Sequence, residues 1–124
     1  MDKIVVSQLG KTWILDLDGT IVKHNGYKED GCDTFLEGAE EFLSNISKQD
    51  MIVFLTSRTE KEKELTEHFL KAHGVRYDAI IYNAPYGERI LVNDKKPSGL
   101  KTAIAINTER DVMCQTEFIE DASL

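Results

Sequence analysis

Two aspartates, Asp16 and Asp18, stand on either side of Leu17 and directly before Gly19 and Thr20 in the stretch WILDLDGTIV. Successive side chains of an extended chain point to opposite sides, so both carboxylates fall on one side and Leu17 on the other. Two ionised carboxylates held that close repel unless a shared proton or a cation lies between them. Magnesium answers the repulsion, because it takes oxygen ligands, keeps several waters and joins carboxylates to a substrate phosphate. Two other apolar runs also end in polar pairs, Thr56-Ser57 after MIVFL and Asn93-Asp94 after ILV. Asp94 is therefore expected to complete a cup around Mg2+ with Asp16 and Asp18. Each residue has a plainer explanation when judged singly: DLDGT as a solvated turn, Thr56 as the cap of the following helix, Asp94 as a turn aspartate. Their shared place at the ends of apolar runs favours chemistry.

The elements that must position these residues follow from periodicity. Lys3–Ser7 and Thr12–Leu17 read as strands joined by a turn at Leu9-Gly10-Lys11, the second a continuous apolar run suited to the middle of a sheet. IVKH, Asn25-Gly26 and YKE read as a short hairpin with a tight turn, a flap that brings His24 and Tyr27 to a substrate. Glu37–Lys48 has Ala39, Phe42, Leu43 and Ile46 at helical spacing, and Met51–Leu55 is a buried strand. Thr59–His73 reads as a helix with Leu65, Phe69 and Leu70 inside, His68 and His73 structural, and Gly74 as its stop. Its charged run TEKEKE is a solvated face. Asp78–Tyr82, Ile90–Val92 and Thr102–Ile106 read as further strands, though the last also fits a helix. Strands alternating with helices predict an α/β fold, a Rossmann-like three-layer α/β/α arrangement around a mostly parallel sheet that binds ligands at its carboxyl ends.

The whole chain sets limits. Its 124 residues suit a single domain able to bury a core without staples, here divided into a core over 1–107 and an acidic tail over 108–124. Hydrophobic residues at 41% and charged ones at 30% are ordinary for a folded domain. No apolar run approaches a membrane span, and the N-terminal residues lack a signal-peptide pattern, so a cytoplasmic protein is expected. Cys32 and Cys114 have no metal-type spacing and read as free thiols. A net charge of -7 argues against a broad nucleic-acid or anionic-membrane surface.

DLDGT at Asp16 to Thr20, FLTS at Phe54 to Ser57 and LVND at Leu91 to Asp94, in that order, resemble the haloacid dehalogenase (HAD) superfamily of phosphatases. The resemblance implies a HAD-like fold and a magnesium-dependent phosphomonoester hydrolase. Asp16 would attack phosphorus to form an aspartyl-phosphate, and Asp18 would protonate the leaving oxygen and then activate water. Thr56 would bind a phosphate oxygen, with Leu17, Gly19 and Ser57 lining the substrate. Magnesium would take Asp16, the backbone carbonyl of Asp18, and Asp94, with Asn93 holding a metal-bound water. The chain departs from the family where a lysine usually steadies the phosphate: NAPYGERILVND has Ala84-Pro85 there, leaving Arg89, Lys95 and Lys96 to supply charge, Arg89 and Lys96 being favoured. The intervals between motifs leave no room for a lid domain, so the resemblance implies a capless site, open to a large substrate or roofed by a neighbouring subunit in a homo-oligomer. The substrate would be a phosphorylated small molecule, such as a sugar, or the exposed phosphate of something larger. The competing reading is a non-catalytic phosphate- or magnesium-binding module that lost turnover with its lysine. A two-component receiver fits less well, since the middle strand ends in Thr56 where it needs an aspartate.

Overall fold

A computed structural model describes residues 2–124. The fold is α/β with parallel strands, and the chain forms two compact units, one of residues 10–86 with 108–113, the other of residues 1–9, 87–107 and 114–124.

The larger unit contains β2 (Thr12–Leu15), β3 (Met51–Leu55) and β4 (Ala79–Ile81), all parallel, in the order β2-β3-β4. The expected central place of Thr12–Leu17 is corrected: β3 is the middle strand and β2 an edge, and the strand stops at Leu15. Alternation explains one face. Trp13, Leu15, Ile52, Phe54 and Ile80 point to a core completed by Leu17, Ile21, Leu36, Leu43 and Leu70. On the opposite face Ile14, Met51 and Ile81 are about half exposed, so these strands are covered on one side, not on both.

Between β2 and β3 the chain returns on itself more widely than a tight hairpin. Leu36 N–H donates to Ile21 O and Lys23 N–H to Thr34 O, which pairs residues 21–23 with 34–36. A type I′ turn needs two positive-φ residues. Only Asn25 has one, at 56°, and from Gly26 the chain makes one helical turn, α1 (Gly26–Glu29). The second helix, α2 (Ala39–Ser44), is shorter than the periodicity predicts; it buries Ala39 and Leu43, and Ile46 packs into the core just beyond its end.

After β3 a capping box opens the next helical stretch. Lys61 N–H donates to Thr59 Oγ1 at 3.3 Å, and Thr59 N–H donates to Glu62 Oε1 at 3.2 Å. One 3₁₀ turn, Glu60–Glu62, leads into α3 (Lys63–Ala72). Tighter winding in that turn changes the phase of the helix face. Thr66 and Leu70 are buried, whereas Leu65, expected inside, is 40% exposed. His73 packs on Phe35 and Phe69, and Gly74, at φ 67°, follows the helix as its stop.

The smaller unit pairs β1 (Lys3–Val6) with β5 (Glu117–Glu120) in a parallel two-stranded sheet. The acidic tail thus supplies a strand. Ile90–Val92 and Thr102–Ile106 are not strands: the chain from 87 to 107 is irregular, with Ile90 85% and Val92 88% exposed.

Candidate functional site at the end of β2

Leu17 is buried among core side chains and turns the chain at the end of β2, its carbonyl accepting from the N–H groups of Thr20, Ile21 and Val22. Gly19 sits at φ 81°, a conformation that admits glycine without strain, and donates its N–H to Val22 O at 2.7 Å. With Leu17 inward, Asp16 and Asp18 both stay partly accessible. Thr20 Oγ1 donates to Asp16 Oδ2 at 3.2 Å.

Asp18 is held by Arg58, a residue the sequence reading passed over. Arg58 Nε and Nη2 donate to the two carboxylate oxygens of Asp18, each at 2.9 Å. Nη2 and Nη1 also donate to both oxygens of Asp33, at 2.8 and 3.0 Å, and Nη1 donates to Thr66 Oγ1 at 2.8 Å. A guanidinium has five N–H donors in a fixed fork, and here all five are engaged. The Arg58 and Asp33 side chains are each 2% exposed and that of Asp18 21%. Burial disfavours the charge on Arg58, but the hydrogen bonds and charges of Asp18 and Asp33 outweigh it and hold the group protonated well above its ordinary range. The Tyr27 ring lies 4.3 Å from the guanidinium carbon. One side chain thus joins the β2 loop, the flap, the loop at Asp33 and α3. The sequence signal was an arginine directly after the strand-end pair Thr56-Ser57.

Thr56 is buried, and its Oγ1 accepts from Arg58 N–H at 3.1 Å, which shapes the turn after β3. Ser57, partly exposed, donates its hydroxyl to Pro85 O at 3.5 Å. His24 is tied through its backbone, its N–H donating to Asp111 Oδ1 at 2.7 Å.

Asp16, Asp18, Ser57, His24 and Tyr27 therefore share the larger unit with Leu17 and Gly19, whereas Arg89, Asn93, Asp94 and Lys96 belong to the irregular segment of the smaller one. There Asn93 Nδ2 donates to Thr102 Oγ1 at 2.9 Å, and Thr102 Oγ1 donates to Asp94 O. Asp94 does not end a strand, because the apolar run before it is not paired with any other. Among the described residues no group of three or more His, Cys, Asp or Glu is arranged to hold a metal ion. With Asp18 occupied by Arg58, the donors fit a hydrated ion held through Asp16, not a cage of carboxylates.

No family model matches the chain, and no curated protein matches it. Among solved structures it is similar to a chain in "Structure of Pnkp1/Rnl/Hen1 complex", with a TM-score of 0.52 and 24% identity over 68% of this chain and 32% of that one. The chain spans about a third of that protein's length, and the likeness is one of fold. These findings overturn the resemblance to the haloacid dehalogenase superfamily: the matching structure belongs to the Pnkp1/Rnl/Hen1 complex, and no family model supports the dehalogenase assignment.

Proposed function

We propose that the chain hydrolyses phosphomonoesters, with Asp16 as the nucleophile. The observation that supports this reading is the Asp16–Thr20 loop at the end of β2, where Leu17 turns inward and Asp16 and Asp18 both stay partly accessible. Strand ends of this kind are where ligands meet a Rossmann-like α/β/α sandwich, the fuller arrangement we propose for the fold. Asp16 would attack phosphorus, forming an O–P bond as the ester oxygen departs with a proton from Asp18. Water, giving a proton back to Asp18, would then attack the aspartyl-phosphate, releasing inorganic phosphate and restoring Asp16. Protonation of Asp18 would weaken its hold on the Arg58 fork, since a neutral carboxyl accepts less strongly than a carboxylate. Asp16 and the Asp18 carbonyl would hold magnesium, which offsets negative charge on the phosphoryl group when bound. Ser57 would donate to a phosphate oxygen.

The test is turnover of an aryl phosphate and of a panel of phosphorylated sugars, nucleotides and polynucleotide ends, in magnesium and after chelation. Wild type is expected to be active with magnesium and Asp16→Asn inactive; undiminished hydrolysis by Asp16→Asn sinks the proposal. The bidentate grip on Asp18 favours a second reading, a non-catalytic phosphate-binding module. Phosphate binding without turnover across the panel would select it.

A further inference from the structure

A phosphoryl group beside Asp16 needs a positive charge that Arg58, with every donor engaged, does not supply. The structure offers another arginine. The segment 108–113 belongs to the larger unit and makes a turn in which Val112 N–H donates to Glu109 O at 3.1 Å. Asp111 takes a left-handed conformation there, φ 64°, one that aspartate tolerates better than most residues. The turn is pinned to the Asp16–Thr20 loop at two points: Asp111 N–H donates to Gly19 O at 2.8 Å, and Asp111 Oδ1 accepts the His24 N–H at 2.7 Å. Arg110 stands at the tip of this turn. Its Cγ lies so near Gly19 that a Cβ added there would meet it at 3.2 Å. The Arg110 side chain is exposed, and among the described residues it has no hydrogen bond or ion pair.

We propose that Arg110 is the anion-binding residue of this site, supplying the charge to a phosphate held at Asp16. The proposal rests on the phosphomonoesterase reading for its substrate, but not for its geometry. An exposed guanidinium beside a glycine loop can grip two oxygens of a phosphate at once. Gly19 matters twice here: its φ lets the loop turn, and its lack of a side chain lets the Arg110 stem approach.

The experiment measures inorganic phosphate binding to the full chain by calorimetry, alongside KM and kcat for an aryl phosphate. Wild type, Arg110→Ala and Arg110→Lys are compared, and circular dichroism checks folding. Arg110→Ala is expected to weaken phosphate binding at least about tenfold and to raise KM more than it lowers kcat, with Arg110→Lys in between. Phosphate binding by Arg110→Ala equal to wild type overturns the inference and leaves the hydrolase reading standing. Failure of wild type to bind phosphate overturns it too. Loss of binding in Arg110→Ala while wild type turns over nothing supports the anion site and refutes the hydrolase.

Discussion

Arg58 carries more of the site than any residue singled out by motif. Removing it would leave Asp33 as an unpaired buried charge and release Asp18. Arg58→Ala is therefore expected to lower stability by about 3–5 kcal/mol, the usual cost of breaking a buried ion pair from one side, as read from denaturant midpoints. Arg58→Lys should recover little, since an ammonium has three donors where this site uses five in a plane. Full stability in Arg58→Lys would show that charge alone, and not the fork, holds the network. At this scale the sequence was half legible. Strand alternation announced Asp16 and Asp18, because period-two spacing is written in the chain. The partner of Asp18 is Arg58, which only folding brings to it together with Asp33 and Thr66, the other acceptors of that guanidinium.

Among elements, α3 and β4 are tied by Tyr82, whose hydroxyl donates to Glu67 Oε2 at 2.9 Å. Burial, reinforced by that hydrogen bond, raises the phenol above its ordinary value of about 10. Below that value the phenol is protonated in both folded and unfolded chains, and the bond contributes fully. As pH rises past about 10 the unfolded chain releases its proton first, so the contribution falls. Tyr82→Phe should thus be less stable than wild type at neutral pH, with the gap closing in alkali; a gap independent of pH up to 11 or so would remove Tyr82 as the cause. The elements that periodicity found are those with a strong apolar face: Met51–Leu55 is a strand from end to end, and Gly74 stops α3 as expected. Ile90–Val92 misled because three adjacent apolar residues fit a strand equally well with or without a partner, and here no partner pairs with them. The flap misled through Asn25-Gly26, a pair that serves a tight turn but also, as here, starts a helical turn.

At the scale of the molecule, each unit has its own reason to hold. The larger has a continuous core around Phe54, Leu17 and Ile21. The smaller is organised by one pairing, Lys3↔Glu117 through Val6↔Glu120. Deleting 117–124 should therefore release amide exchange across Lys3–Val6 to the rate of an unstructured chain while Ile52 and Phe54 stay protected. Protection retained at Val5 and Val6 would mean that something other than β5 holds β1. Among the described residues no helix is long and apolar enough to cross a membrane. The β1–β5 pair also fixes an order of events during synthesis. A ribosome delivers Lys3–Val6 long before Glu117–Glu120, so β1 emerges with its backbone donors and acceptors unmatched and stays so until the residues between the two strands have been translated. For that interval KIVV is a bare edge open to strands of other nascent chains, and the speed of elongation, not only the final fold, sets how long that exposure lasts.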